Sequence, residues 1–466
     1  MKVSPHPIST EVVKELKQIV GEEWVVTKKE LTSSYLYDQT PEPVRPTASD
    51  NVIVVKPKDA KSVSQILIMA NKHKIPVFPR GGGTGLVGGC IPTASGIVLS
   101  LERMKNISID RENLFAEVEA GVTLGELIEA VEKVGLFFPP HPGDEGAQLG
   151  GLIACNAGGA RAVKTGVMRN YVKGVEVVLP TGEILTLGGK LLKNNLGYDL
   201  MQLIIGSEGT LGIITKAWVR LSPKQLFYAT LIIPFNHREK ALKIAPKILQ
   251  SGISPLAIEY VERELVEQTA KELNLNWPCG EGLHQLIIIL EESSEEALLQ
   301  HCEKLLTLSK EYEALEPVIA ERSEEQKQIL KIRSEIGLIL LKDTIDILDI
   351  SVPPSALSSL IEEAEKLAQM IGLKIALLGH AGDGNIHLHI LKTEGSNIQK
   401  RYEEYKTKIY QKAIEFGGTI TGEHGIGCIK KPYFVQFVDE NTLKVMKAIK
   451  RLFDPNNILN PGKILP

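Results

Sequence analysis

The chain has 466 residues, of which 43% are hydrophobic and 24% are charged, and its formal net charge is −4. This length suits two to four domains, and the near-neutral charge argues against a nucleic-acid partner or an anionic membrane surface. The cysteines are odd in number and far apart, which argues against a disulfide framework, a zinc ribbon or an iron–sulfur cluster on this chain: Cys90, Cys155, Cys279, Cys302 and Cys428.

No run reaches the roughly 18 apolar residues that a membrane span needs. Residues 1–11 lack the apolar core of a signal peptide. The sequence therefore predicts a cytoplasmic protein without a transmembrane segment.

Hydrophobic spacing predicts alternating helices and strands in the first half of the chain. Helices are expected at residues 9–21, 62–73 and 124–134. Strands are expected at residues 52–56, 75–78, 97–101, 114–119, 174–179 and 183–187.

The first glycine cluster, residues 79–89, holds six glycines in eleven residues. Such a loop allows positive φ and close approach of another group, and its free N–H groups would form an anion cradle. The alternative is a flexible turn. Gly83-x-Gly85-x-x-Gly88 matches the dinucleotide fingerprint, but residues 89–96 cannot form the helix that a Rossmann site requires. We therefore reject a Rossmann NAD site, and also a Walker loop because no Gly-Lys-[Ser/Thr] follows.

Two further glycine clusters lie at residues 146–159 and 206–215. Small residues dominate the first of them, so a large group is expected to pack against its backbone. Three clusters within the first 215 residues predict one extended ligand lying across one domain.

The segment 379–390 places His380, His387 and His389 around a Gly-Asp-Gly-Asn turn and reads as a β-hairpin. His387 and His389 share a face of their strand because side chains alternate. Glu423 and His424 follow downstream, and two histidines with a carboxylate form a known type of catalytic metal set. The alternative is a group of structural, hydrogen-bonded histidines.

After residue 223 glycine becomes scarcer and charge rises. Strands are expected at residues 226–234, 256–261, 284–291 and 344–352. Helices are expected at residues 238–250, 294–310, 324–341, 355–371 and 397–416, which makes this an α+β region.

The glycine motifs at 80–85, 149–159 and 206–215 resemble the FAD-binding domain of the vanillyl-alcohol-oxidase/p-cresol-methylhydroxylase superfamily. The hairpin at 380–390, Gly-Glu-His-Gly-Ile-Gly at 422–427 and the tail at 453–463 resemble its branch of D-lactate dehydrogenases, D-2-hydroxyglutarate dehydrogenases and glycolate oxidase flavin subunits. This resemblance implies an α+β fold: a two-subdomain FAD-binding domain at 1–222, an α+β cap with a mainly antiparallel sheet at 223–424, and a segment at 425–466 that returns to the FAD domain.

The resemblance implies non-covalent FAD held by loops 79–89 and 146–159, with 209–214 along the ring system. His141 stands where the family leads us to expect an aspartate, and other superfamily members attach flavin through a histidine. The expected cofactor residues are Pro79, Arg80, Gly81, Gly82, Gly83, Thr84, Gly85, Gly88, Gly89, Pro140, Gly143, Gln148, Leu149, Gly150, Gly151, Asn156, Ala157, Glu208, Gly209, Gly212, Ile213, Ile214 and Asn460.

The resemblance also implies a divalent metal on His380, His387 and Glu423, and zinc, iron or manganese suits these donors alike. The expected roles of the other site residues are His424 as base or as a partner of a metal ligand, Arg333 for the substrate carboxylate, His389 in the substrate pocket, and Asn385 supporting the turn or touching substrate.

Two departures from the family pattern bear on the substrate, a small 2-hydroxy acid. Gly337 replaces an expected threonine, and an expected lysine is absent, with Lys342 as the nearest substitute. Both favour oxidation of D-lactate or glycolate to the 2-oxo acid over D-2-hydroxyglutarate.

The sequence does not choose the electron acceptor among electron-transfer flavoprotein, an iron–sulfur subunit and a quinone. Any attachment to a membrane is expected to be through a partner. A homo-oligomer and a hetero-oligomer are both allowed. Three other readings compete. A metal-dependent hydrolase leaves the glycine clusters unexplained, and a non-catalytic flavin subunit would be expected to lose the hairpin histidines. An alkyl-dihydroxyacetone-phosphate synthase shares the fold, but nothing in the sequence favours it.

Overall fold

The computed structural model of the chain describes residues 8–320 and 322–466. The prediction about a signal peptide falls largely on residues 1–7, which lie outside the described residues. Within the described ranges the helices, α1 to α16 in chain order, are Thr10–Val20, Lys29–Thr32, Ala60–His73, Leu124–Glu132, Leu149–Cys155, Ala162–Thr165, Met168–Tyr171, Leu200–Ile204, Arg238–Gln250, Arg263–Glu272, Glu295–Glu311, Ser323–Leu341, Leu357–Ile371, Ile398–Glu415, Lys431–Phe437 and Glu440–Phe453.

Among the described residues the strands form four sheets. In chain order, β1 to β18 are Val25–Val26, Val52–Val55, Val77–Arg80, Gly96–Ser100, Ile107–Asp110, Phe115–Glu119, Leu136–Phe137, Val172–Val178, Ile184–Gly188, Ile213–Arg220, Ser222–Pro223, Phe227–Phe235, Ala257–Glu262, His284–Glu292, Val318–Ala320, Thr344–Ser351, Lys374–His380 and Asn385–Leu391.

The chain divides into two compact units. The first holds residues up to Ala157, then Val167–Lys224 and Glu423–Pro466, and the second holds Gly158–Gly166 and Gln225–Gly422. These limits differ from the predicted 222/223 and 424/425 boundaries. The segment 158–166 belongs to the second unit because Lys164 pairs with Glu291 of β14 and Val163 packs against Gly382.

The first unit contains two principal sheets, each with its own core. In the smaller sheet, ordered β1-β2-β4-β3, the strands β2, β4 and β3 run parallel. Their apolar side chains pack with α1 and α3 in a core that includes Leu16, Ile66 and Leu99. The larger sheet is antiparallel, ordered β5-β6-β10-β8-β9, and its core includes Leu149 and Val175.

The segment 81–95, which contains most of the first glycine cluster, connects β3 to β4 and has no helix among its described residues. The helix N-terminus that a Rossmann site needs at this point is therefore missing from these described residues. The next strand, Gly96–Ser100, begins where the sequence predicted a strand.

The second unit is built on one seven-stranded antiparallel sheet, ordered β15-β12-β14-β13-β17-β18-β16. The predicted mainly antiparallel sheet is confirmed. One face buries a core with α10 and α12 that includes Val266, Ile332 and Ile336. The strands β13 and β17 are neighbours although residues 263–373 separate them, so the sheet order brings distant segments together.

The predicted hairpin is β17 and β18, joined by the turn at residues 381–384. Gly384 has a φ of +80°, and a Cβ added there would lie 2.0 Å from the carbonyl oxygen of Val352. The turn therefore requires glycine, both for its left-handed backbone and for this close approach.

Replacing Gly384 with alanine is expected to destabilise the protein by about 2–4 kcal/mol, since left-handed strain of about 1 kcal/mol adds to displacement of the Val352 backbone. The midpoint of urea unfolding, followed by circular dichroism, measures this loss. Gly337→Ala is the matched control. It lies inside α12, no described atom stands within 4 Å of its added Cβ, and it should stabilise by about 0.5–1 kcal/mol. An unchanged midpoint in Gly384→Ala would contradict the turn geometry.

None of the helices in the described part of the chain is long and apolar enough to cross a membrane.

Candidate active site

His380 and His387 face each other across the hairpin. His380 ends β17 opposite Asn385, and His387 lies two residues further along β18, so the two histidines are diagonal neighbours. Their Nε2 atoms are 3.3 Å apart, and their rings meet at 88°. The structure therefore brings the two predicted histidine ligands together, with Nε2 of each ring pointing at the other ring.

The second ring nitrogen of each histidine points at a buried carboxylate. Nδ1 of His380 lies 2.6 Å from Oε1 of Glu259, and Nδ1 of His387 lies 3.8 Å from Oδ1 of Asp349. In metal sites a ligating histidine commonly directs its other nitrogen at such a carboxylate. The donor set of the second unit thus fits a divalent metal, because a neutral imidazole binds a metal through one ring nitrogen.

Glu259 also holds Arg333. Its Oε2 lies 2.5 Å from Nη2 of Arg333, and its side chain is 2% exposed. Burial raises the pKa of Glu259, but its interactions with His380 and Arg333 outweigh this and keep the pKa below its ordinary value. Nε of Arg333 is buried and makes no hydrogen bond among the described residues. Arg333 therefore keeps donor capacity for an anionic ligand.

Asp349 anchors the segment that leads to Glu423 and His424. Its carboxylate accepts hydrogen bonds from the Asn385 amide at 2.8 Å, the Thr421 hydroxyl at 2.9 Å and the Gly422 N–H at 3.0 Å. Glu423 and His424 follow Gly422 directly and open the last segment of the first unit.

The other two predicted site residues of the hairpin, His389 and Asn385, contact side chains and backbone of the neighbouring strand β16. His389 is 2% exposed and places Nδ1 3.0 Å from the hydroxyl of Thr344 on β16. Asn385 gives its amide to Asp349 and to the carbonyl of Ile350, so the supporting role left open for Asn385 has a structural basis.

Sequence reasoning missed Glu259 and Asp349 as site residues. Each is a nearly or fully buried carboxylate within an apolar strand, β13 and β16. That pattern is itself a signal, because a charge is rarely buried without a partner. Asp38 lies beside the first glycine cluster, since its Oδ2 is 3.7 Å from a Cβ added to Gly85, and burial raises the pKa of its carboxyl.

The three glycine clusters converge within the first unit. A Cβ added to Gly81 would lie 3.5 Å from Cβ of Gln148, and one added to Gly209 would lie 2.7 Å from Cγ of Pro79. At Gly89 and Gly151, by contrast, no described atom stands within 4 Å. The clusters therefore form a backbone-lined surface with open space beside it.

Buried polar atoms at this surface fit a polar ligand. Oε1 of Gln148, Oγ of Ser207 and Oδ1 of Asn460 are buried without a hydrogen-bond partner among the described residues. The amide nitrogen of Asn460 is bonded to the carbonyls of Gly89 and Glu208. Orphaned atoms of this kind call for a partner, and a flavin cofactor supplies both donors and acceptors.

Some predicted cofactor residues have structural partners of their own. Arg80 is buried and donates to the carbonyls of Tyr37 and Ser34. The Glu208 carboxylate accepts from the backbone N–H groups of Ile426 and Gly427. Burial raises the Glu208 pKa in spite of these bonds. Both residues therefore support the loops.

The predicted loop 146–159 is not wholly a loop. Its residues Leu149–Cys155 form helix α5, so this part of the prediction was wrong. The other predicted cofactor residues also lie in the first unit: Gly82, Gly83, Thr84, Gly85, Gly88, Pro140, Gly143, Leu149, Gly150, Asn156, Ala157, Gly212, Ile213 and Ile214. His141 lies 3.3 Å from the carboxylate of Glu145.

Comparison with known families places this fold. Residues 52–188 match the family described as "FAD binding domain", and residues 227–464 match "FAD linked oxidases, C-terminal domain". The chain is 42% identical to a D-lactate dehydrogenase of Archaeoglobus fulgidus, over 93% of this chain and 96% of that protein. It is 36% identical to the glycolate oxidase subunit GlcD of Bacillus subtilis, over 98% of this chain and 97% of that protein.

Two solved structures illustrate the fold that this chain shares. The 4-ethylphenol oxidase of Gulosibacter chungangensis aligns with a TM-score of 0.77 at 20% identity, over 100% of this chain and 99% of that one. A p-cresol methylhydroxylase aligns with a TM-score of 0.77 at 18% identity, over 97% and 96%. These likenesses confirm the predicted vanillyl-alcohol-oxidase/p-cresol-methylhydroxylase fold.

The fold and the converging glycine clusters define a flavoprotein with an FAD-binding domain and a C-terminal domain. The chain belongs to the FAD-linked oxidase family, in the branch of the D-lactate dehydrogenases and the glycolate oxidase flavin subunit. It is an FAD-dependent oxidoreductase, as its glycine and histidine motifs predicted.

Proposed function

We propose that this protein oxidises a small D-2-hydroxy acid, D-lactate or glycolate, to the 2-oxo acid. The observation that carries the proposal is the pair of facing histidines, His380 and His387, tied through Glu259 to an arginine with free donor capacity. Relatives named D-lactate dehydrogenase and glycolate oxidase subunit support it. The substrate loses a hydride from C2 and a proton from its hydroxyl.

Two groups would assist the residues of this chain. When bound, the flavin accepts the hydride, and a divalent metal (zinc, iron or manganese) supplies positive charge that lowers the pKa of the substrate hydroxyl. His380, His387 and Glu423 would hold the metal, and the glycine clusters of the first unit would hold non-covalent FAD.

His424 is the proposed base for the hydroxyl proton. Imidazole is the side-chain group best suited to proton transfer near neutral pH, and His424 directly follows the proposed ligand Glu423 in the chain. Arg333 would bind the substrate carboxylate with its guanidinium, whose planar set of donors matches a carboxylate. His389 would line the pocket. Asn385 and Asp349 would hold the strand that carries His387.

The structure favours a monocarboxylate over 2-hydroxyglutarate, although a probable D-2-hydroxyglutarate dehydrogenase of rice is 32% identical to this chain. Lys342 is exposed and pairs with Glu272 at 2.7 Å. Gly337 has open space at its Cβ position and offers no side chain. Neither residue supplies the second carboxylate partner that a dicarboxylate would need.

The two electrons must leave the flavin for an acceptor such as electron-transfer flavoprotein, an iron–sulfur subunit or a quinone. We place the enzyme in the cytoplasm, with any membrane attachment made through such a partner. A homo-oligomer and a hetero-oligomer are both compatible with this arrangement.

Anaerobic bleaching of the flavin absorbance tests the proposal. D-lactate or glycolate is expected to bleach the purified protein, L-lactate to leave it oxidised, and D-2-hydroxyglutarate to react more slowly. A chelator should slow the bleaching, and added metal should restore it. If every D-2-hydroxy acid left the flavin oxidised, the protein would instead be a non-catalytic flavin subunit. If it were colourless as purified, the hydrolase alternative would gain support.

A further inference from the structure

Glu259 is a buried carboxylate shared by two groups with different proposed tasks. One oxygen lies 2.6 Å from Nδ1 of His380, and the other lies 2.5 Å from Nη2 of Arg333. The β13–β17 pairing sets Glu259 directly opposite His380, so the register of the sheet fixes the distance between the two side chains. Neither oxygen is left for solvent, because the side chain is 2% exposed.

We propose that Glu259 is a positioning residue that links metal binding at His380 to substrate-carboxylate binding at Arg333. This inference rests on the proposed function. His380 and Arg333 are then coupled through one carboxylate, and displacing that carboxylate disturbs both residues.

The bond to His380 selects the form of the ring that can bind a metal. A carboxylate at Nδ1 accepts the N–H found there, which leaves the lone pair on Nε2. That Nε2 is the atom that faces Nε2 of His387 at 3.3 Å. Without the carboxylate, the imidazole is free to place its proton on Nε2, where it would block a cation.

The ion pair between Glu259 and Arg333 compensates the charge of the guanidinium. Arg333 is only 13% exposed, so its charge would be costly in this position without Glu259. Glu259 neutralises the charge of Arg333. The guanidinium therefore presents oriented N–H donors to a substrate carboxylate but exerts little net electrostatic attraction on it. A divalent cation beside His380 would supply that missing charge, so anion binding should depend on the metal.

The test uses the FAD-containing protein stripped of metal by a chelator. Zn²⁺ affinity is measured by competition with a chromophoric chelator, and pyruvate affinity by its effect on the flavin spectrum with and without Zn²⁺. In Glu259→Gln, Zn²⁺ is expected to bind about 10–100-fold more weakly. Pyruvate should bind at least about 10-fold more weakly to the Zn²⁺-saturated variant, and KM should rise more than kcat falls.

Three further variants separate position from charge. Glu259→Asp keeps the charge but shortens the reach, so it should lose both affinities, and it carries the test if Glu259→Gln does not fold. Arg333→Met should weaken pyruvate without weakening Zn²⁺. Glu262→Gln is the matched control, because Glu262 lies on the same strand beside Arg238 at 2.8 Å, and it should change neither affinity.

Wild-type Zn²⁺ affinity in both Glu259 variants would overturn the link. So would weakened Zn²⁺ binding with unchanged pyruvate affinity. A wild-type protein that binds no Zn²⁺ would instead overturn the metal site of the proposed function, and the link with it.

Discussion

Replacing His387 with alanine is expected to slow anaerobic flavin reduction by D-lactate about 10²–10⁴-fold. The substitution removes one of two facing Nε2 donors, and loss of a catalytic metal costs several kcal/mol of transition-state stabilisation. Metal content measured by mass spectrometry should fall in parallel. The FAD content should not change, because the glycine clusters belong to the other unit.

His301→Ala is the control for this variant. His301 lies on α11 and pairs with Glu292 at 2.7 Å, away from the hairpin in sequence and in strand order. It should reduce its flavin at the wild-type rate. A His387→Ala protein that reacted within threefold of wild type would show that the two histidines serve structure and not catalysis.

Replacing Asp349 with alanine is expected to lower the free energy of unfolding by about 3 kcal/mol. Asp349 has no exposed surface, and its carboxylate accepts hydrogen bonds from Asn385, Thr421 and Gly422. Each buried donor left without an acceptor costs about 1–3 kcal/mol. The loss is limited because two of these donors keep a second acceptor, the carbonyls of Ile350 and of residue 349 itself.

The measurement is the midpoint of urea unfolding with FAD in excess. Thr421→Val removes only one of the three donors and should cost about 1 kcal/mol. Equal losses in the two variants would mean that the Asp349 contacts with Asn385 and Gly422 contribute nothing to stability.

The sequence predicted those parts of the fold whose signals are local. The hairpin followed from the alternation at 386–390 and from the glycines of its turn, and both strands lie close to the expected positions. The strands and long helices of the second unit were found for the same reason. The antiparallel sheet followed from the resemblance, whose residues carry more information than periodicity.

Other helices were not predicted, because tertiary packing determines them against the preferences of their local sequence. Helix α5 contains Gly150 and Gly151, which disfavour a helix. A Cβ on Gly150 would lie 2.7 Å from Cβ of Ala120, so glycine serves close packing there. Helix α10 begins at Arg263, directly after β13 ends at Glu262, and no break in the sequence marks the change.

The partners within the site could not be predicted by any local pattern. Glu259 and His380 are 121 residues apart, and only the order β13-β17-β18 brings them together. The two predicted histidine ligands face each other because the hairpin sets their register. The histidine–carboxylate–arginine chain depends on the sheet order, which the spacing of residues does not encode.

The division of the chain also has a consequence for its synthesis. The first unit needs its last segment: Glu208 binds the N–H groups of Ile426 and Gly427, and Leu459 bridges to Val77 of β3. The second unit needs only the short segment 158–166 and the continuous stretch 225–422. At roughly 5–20 residues per second, translation of that stretch occupies about 10–40 s. Throughout this interval the glycine clusters have left the ribosome without Asn460, whose amide bonds to Gly89 and Glu208. On a growing chain the second unit is therefore completed before the first.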